Sequence, residues 1–334
     1  VKIDAFNHIV TPRYNAKRRA LAPAAMRLAD VERAVPTLFD LDARLRVMDT
    51  AGEGYLQILS AASPPVEQMA GPSGARELSQ IVNDEMAELV ARMPDRFAGA
   101  AACLPMNDVE GALEELDRAV RRLGMCAVQL YTDVQGQPLD DPEFRPVFDR
   151  IAALGLPILL HPCRSADRPD YPSEPSSRFD TWRIFGWLYD TVSAMTRLVF
   201  SGLFDRHPDI VVVSHHLGGF APYAAGRIQE GYDKLVKAAR ARGEALPLAS
   251  HPAEYFRRFH ADTITGGSVP ALACGIEYFG VDRVLFATDM PFDTEGGRTY
   301  IDVALRAMEQ IDLSRSDKHK ILEGNARRVF RLGF

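Results

Sequence analysis

Short β-branched or apolar runs recur eight times along the chain, separated by stretches in which apolar residues return every three or four positions. The runs are Lys2 to Phe6, Tyr55 to Leu59, Phe97 to Leu104, Cys126 to Leu130, Pro157 to His161, Ile210 to Ser214, Phe259 to Thr263 and Val284 to Thr288. The clearest intervening helical patterns are Ala75 to Met93, Asp108 to Leu123 and Glu143 to Leu154. Pro157-Ile158-Leu159-Leu160 and Ile210-Val211-Val212-Val213 are continuously apolar, which suits parallel strands buried on both faces; a sheet with one wet face would alternate. Eight such units predict an α/β chain folded as a (β/α)8 TIM barrel with long βα loops. All 334 residues, 1–334, are expected to form a single domain, because such barrels grow beyond about 250 residues by loop insertion. The connections Val10 to Asp40, Arg164 to Trp182 and Tyr232 to Pro252 are the long ones, and long connections in compact domains usually carry function.

Composition narrows the partners. Acidic residues number 45 against 39 basic ones, a formal charge of −6, so no general positive field draws nucleic acid and none is expected as a partner. No stretch reaches the roughly 18 apolar residues of a membrane-spanning helix, and the alternating start Val1-Lys2-Ile3-Asp4-Ala5-Phe6 lacks the apolar core of a signal peptide. The four cysteines, Cys103, Cys126, Cys163 and Cys274, are scattered and form no CxxC pair. They read as reduced thiols, and a cytoplasmic location without membrane attachment is expected.

Polar residues collect where the strands end: Asn7-His8, His161-Pro162-Cys163, Ser214-His215-His216 and Thr288-Asp289. In a barrel these carboxyl ends open on one face, the face on which active sites are built. A single histidine there is most simply a partner for loop backbone, but several converging with a carboxylate could hold a divalent ion such as zinc and leave a position open. Arg13 and Arg164 follow two of these ends and are candidates to grip a substrate carboxylate through paired hydrogen bonds. Phe292 and Trp182 are candidate aromatic walls, and Gln129 and Tyr131 flank the end of the fourth strand. Since successive strand residues face opposite sides, only one of His215 and His216 is expected to face the axis. His207, His251 and His319 read as surface or turn residues, His260 as packing, and Gly218-Gly219 as a tight turn without phosphate-loop spacing.

The ordered set Lys2-Ile3-Asp4-Ala5-Phe6-Asn7-His8-Ile9, Leu159-Leu160-His161-Pro162, His216-Leu217-Gly218-Gly219-Phe220-Ala221-Pro222-Tyr223, Glu254-Tyr255-Phe256 and Thr288-Asp289-Met290-Pro291-Phe292 resembles the metal-dependent amidohydrolase-like barrels of the aminocarboxymuconate semialdehyde decarboxylase type. That resemblance implies His8, His161 and Asp289 as ligands of one divalent metal, zinc first and manganese second. It also implies His216, rather than His215, as the catalytic histidine, with Asp289 as a second proton carrier. Family members usually open with His-x-His or Glu-x-His, whereas this chain has Phe6 in the first position, leaving three protein ligands in the set. The implied activity is nonoxidative decarboxylation of a small unsaturated or aromatic carboxylic acid by a carboxy-lyase. Two other readings share the residues: a metal-dependent hydrolase or hydratase of a lactone, ester, amide or unsaturated acid, and a noncatalytic barrel owing to Phe6. A homodimer is the assembly the resemblance implies.

Overall fold

The computed structural model describes residues 1–23 and 28–333. Eight parallel strands follow one another around a barrel: β1 (Lys2–Ile9), β2 (Tyr55–Ala61), β3 (Phe97–Cys103), β4 (Ala127–Tyr131), β7 (Ile158–His161), β8 (Val212–Ser214), β9 (His260–Asp262) and β10 (Val284–Leu285). A small antiparallel hairpin, β5 (Asp133–Val134) and β6 (Gln137–Pro138), projects from the loop after β4. The seam is closed by backbone bonds from Ala5 N to Phe286 O (2.9 Å) and from Asp289 N to Phe6 O (3.1 Å). All eight predicted strands are present, shorter at β8, β9 and β10 than the apolar runs suggest.

The continuous apolar runs follow from two cores. Ile58, Leu159, Val213 and Leu285 point into the barrel, while Leu59, Leu160, Val212 and Val284 pack outward against the helices. Period-2 alternation therefore sends both sets of side chains of these runs into apolar surroundings. Helix Pro72–Arg92 covers the outside through Leu78, Val82 and Met86, and helix Val109–Leu123 is capped by Asp108, whose Oδ1 accepts from Gly111 N at 3.0 Å. At the opposite end from the strand carboxyl ends, Ala326, Val329 and Phe330 of the last helix plug the barrel interior.

The long connections are more ordered than loops. Val10 to Asp40 holds helices Pro12–Leu21 and Leu28–Ala34, with residues 24–27 outside the described residues. Tyr232 to Pro252 is half taken up by helix Ala225–Ala241. Arg164 to Trp182 is the irregular one, and it leads into helices Thr181–Ile184 and Gly186–Phe200. No helix among the described residues is long and apolar enough to cross a membrane.

Candidate active site

Four segments bring their polar ends together as the barrel requires. β1 carries a register shift between Asp4 and Asn7. Bulges re-aim side chains, and here the shift changes the parity of the strand: Ile3 and Ala5 face the barrel interior, and so does Phe6, with His8 above it. Arg44, fully buried, fixes this turn of chain by donating to Asn7 Oδ1 (2.5 Å), His8 O (2.6 Å) and Gln57 Oε1 (2.7 Å). Asp4, also fully buried, ties β1 to the segment after β10, accepting from Thr288 N (3.0 Å), Thr288 Oγ1 (2.6 Å) and Tyr55 Oη (2.6 Å). The residue next to Thr288 is Asp289, held at a left-handed φ of 64°.

His8, His161 and His215 are buried and present ring nitrogens within 4.8 Å of one another; His215, His216 and Asp289 form an overlapping group at the same spacing. His161 Nδ1 donates to Pro162 O at 2.5 Å, so its Nε2 carries the lone pair. His215 Nδ1 meets Asp262 Oδ2 at 2.6 Å, and Asp262 is itself pinned by the backbone N–H groups of His216 (3.1 Å), Leu217 (2.9 Å) and Ile264 (3.0 Å). A carboxylate behind an imidazole in this way orients ligand histidines in metal sites. Asp289 Oδ1 lies 3.2 Å from His8 Nε2 and 3.5 Å from His215 Nε2, and its Oδ2 lies 3.7 Å from His216 Nε2.

The electrostatics are those of a crowded, dry site. Burial pulls the His8 and His161 imidazoles below their ordinary range, and His215 pushes both further down. Burial lowers His216 as well, with His215 adding to it. At His215 burial is outweighed by Asp262 and Asp289, which raise it to about 9. Burial alone would raise the Asp289 carboxyl, but the surrounding histidines hold it well below the usual carboxylate range. His8 Nε2 and His215 Nε2 are buried and make no hydrogen bond. Two such nitrogens facing one carboxylate are costly unless something binds them, and a divalent cation fits this donor set of imidazoles and a carboxylate.

The predicted site residues divide. His8, His161, His216 and Asp289 are brought together, and Phe292 lies beside His8 with ring centroids 5.5 Å apart. Arg13 is not with them: its guanidinium is on the outer surface, paired with Glu88 at 2.6 Å. Arg164 also turns away, donating to Pro169 O at 3.1 Å and lining a separate cavity with Arg168 and Asp190. Only its carbonyl serves the site, accepting from Trp187 Nε1 at 3.0 Å. The expectation that just one of His215 and His216 faces inward is corrected. β8 ends at Ser214, so strand alternation stops before the pair, and His216 and Leu217 take left-handed φ angles of 52° and 53° that bring both rings to the same side, 3.9 Å apart. Spacing missed Trp187, which stacks on His216 at 5.8 Å and an interplanar angle of 23°. Asp262, which the sequence left evenly balanced between supporting the site and barrel-core polarity, is the anchor of His215.

Phe6 occupies the floor of the site, its ring centroid 4.2 Å from that of His215 and 5.6 Å from that of His8. Above, a cavity of about 770 Å³ opens beside His216 and Asp289. The arrangement defines a barrel of metal-dependent type, with convergent donors at the carboxyl face and room for a small organic molecule.

The Amidohydrolase family model matches residues 3–332. The chain therefore belongs to the Amidohydrolase family. It is 33% identical over 307 residues to gamma-resorcylate decarboxylase of Polaromonas sp. (strain JS666), with 87% of each chain covered. It is 29% identical over 288 residues to 2-amino-3-carboxymuconate-6-semialdehyde decarboxylase of Dictyostelium discoideum, covering 86% of this chain and 76% of that one. Kinship thus extends to the aminocarboxymuconate type without singling it out. A crystal structure of dihydroxybenzoic acid decarboxylase from Polaromonas sp. JS666, with bound manganese and 2-nitroresorcinol, superimposes with a TM-score of 0.76 at 29% identity, covering 99% of this chain and 97% of that one.

Proposed function

We propose that the protein is a metal-dependent carboxy-lyase that nonoxidatively decarboxylates a small aromatic carboxylic acid. The observation that carries this is the convergence of His8, His161, His215, His216 and Asp289 in two overlapping donor groups, with His216 and Asp289 lining a cavity, in a chain a third identical to a decarboxylase of an aromatic acid. His8, His161 and Asp289 would hold the metal, and His215, braced by Asp262, adds a fourth donor in place of a residue at Phe6. The nitrogen-rich set favours zinc, with manganese, present in the related Polaromonas structure, as the second choice. When bound, the ion supplies Lewis-acid stabilisation of negative charge on substrate oxygens.

The remaining work falls to side chains. Trp187 and Phe292 flank the ring of the substrate, and burial of the imidazoles keeps water out. His216, with Nε2 facing Asp289 Oδ2, holds and passes a proton within that pair. The proton is delivered to the ring carbon bearing the carboxylate; the carbon–carbon bond then breaks, its electron pair returns to the ring, and carbon dioxide leaves. Residues 1–334 act as one catalytic domain in this reading. A cytoplasmic homodimer is part of it, supported by the scattered free cysteines and by exposed Phe179, Phe185, Tyr189 and Tyr223.

The test is a panel of hydroxybenzoates assayed for carbon dioxide release, with product analysis for water incorporation. His216→Asn should retain metal and lose about 10² to 10⁴ in kcat. Incorporation of water without carbon dioxide would replace the lyase by a hydrolase or hydratase. Absence of turnover and of metal uptake would leave a noncatalytic barrel.

A further inference from the structure

The cavity is far larger than the reaction needs. A space of about 150 Å³ accommodates a benzene ring, whereas the cavity beside Asp289 measures about 770 Å³. The excess runs away from the imidazoles, between the loop after β9 and helices Val269–Phe279 and Arg298–Gln310. Its apolar lining is Ile184, Leu188, Ile264, Pro270, Ala271 and Val303, of which Ile184, Pro270 and Ala271 are solvent-exposed, so the extension is an open groove. Gly267, at φ 81°, lets the loop close on the second helix: a Cβ there would stand 2.8 Å from Val303 Cβ.

Charge in this extension is already settled. Arg183 is the one guanidinium or ammonium group among the described lining residues, and its Nη2 is paired with Asp180 Oδ2 at 2.8 Å, with the side chain 47% exposed. A second carboxylate on the substrate would find no buried, unpaired cation here. An apolar group, by contrast, would exchange water for aliphatic wall along the channel's length.

We infer that the site takes aromatic acids bearing an apolar substituent of several carbons, which lies in the channel lined by Ile264, Ala271 and Val303. This rests on the carboxy-lyase reading for its chemistry but on the channel for its selectivity. The experiment compares 2-hydroxybenzoates carrying hydrogen, methyl, propyl or pentyl at ring carbon 4, 5 or 6. At one of these positions kcat/KM should rise about fourfold per methylene, the hydrophobic increment of one buried CH₂. Ala271→Trp, which blocks the channel, should shrink the ratio of pentyl to unsubstituted substrate at least tenfold.

A second readout separates the two readings. Trp187 lines the cavity and packs against Trp182, the other tryptophan, with ring centroids 5.3 Å apart, so quenching of the pair's fluorescence reports binding of the corresponding alkylphenols, which have no carboxylate to lose. If Kd falls with chain length while no acid is decarboxylated, the channel assignment holds and the lyase reading fails. If unsubstituted acids are decarboxylated and neither kcat/KM nor Kd improves with chain length at any position, the channel assignment is overturned.

Discussion

At the scale of single residues the site is governed by what stands behind each ligand. Asp262 contributes no atom to the cavity, yet it fixes both the ring orientation and the tautomer of His215 through a bond of 2.6 Å. Asp262→Asn should leave the barrel folded and weaken metal affinity about 10- to 100-fold, as measured by competition with a chromogenic chelator. Unchanged affinity would remove His215 from the ligand set. Phe6→His is the converse experiment: Phe6 packs against His215, so an imidazole there should tighten metal binding in the same assay. His260, at the far end of the barrel, gives a pH signature free of the site. Burial, aided by Arg328 and Arg283, lowers it from its ordinary 6.5 to about 3. The unfolded chain thus takes up this proton near pH 6.5 and the native chain only near pH 3, so its contribution to stability is full above 6.5 and lost on descent toward 3. Urea midpoints should fall between pH 7.5 and pH 5, and His260→Gln should make that fall shallower. An identical slope in both proteins would exclude His260 as a source.

Between elements, one close approach positions the aromatic wall. Helix Gly186–Phe200 meets the turn after β8 at Gly219, where φ is 60° and a Cβ would stand 2.4 Å from Leu188 O. The obstacle is backbone, which cannot swing aside as a side chain can. Gly219→Ala should therefore cost roughly 1–3 kcal/mol in denaturant unfolding, and by displacing Trp187 it should raise KM more than it lowers kcat. A fall in kcat alone would mean that the helix serves the proton path and not substrate binding. Most of this level was legible beforehand: the eight strands and their order follow from apolar runs and helical spacing. The β1 register shift, which turns Phe6 to the same side as Ile3 and Ala5, was not, because a bulge leaves alternation in the sequence looking intact.

For the molecule as a whole, a bound metal would couple site to stability. His8, His161, His215 and Asp289 come from segments far apart in sequence and meet at the carboxyl face of the barrel, so a bound ion would fasten that face. Chelation should lower Tm and added zinc should restore it, since a ligand at 100 times its Kd stabilises the native state by about 2.7 kcal/mol; a Tm indifferent to chelator would contradict a tightly held ion. The sequence by itself determined the architecture, because burial on both faces of strands such as β7 and β8 writes itself as a continuous apolar run. It also marked the strand-end residues His8, His161, His216 and Asp289, since polar groups at such positions stand out against an apolar background. Only the tertiary structure decided that His215 joins them, that Asp262 braces it and that Arg13 and Arg164 point elsewhere. Those outcomes depend on left-handed turns at His216 and Leu217 and on ion pairs with Glu88 and Asp190. The partners in these pairs are distant in sequence, and folding alone brings them within reach.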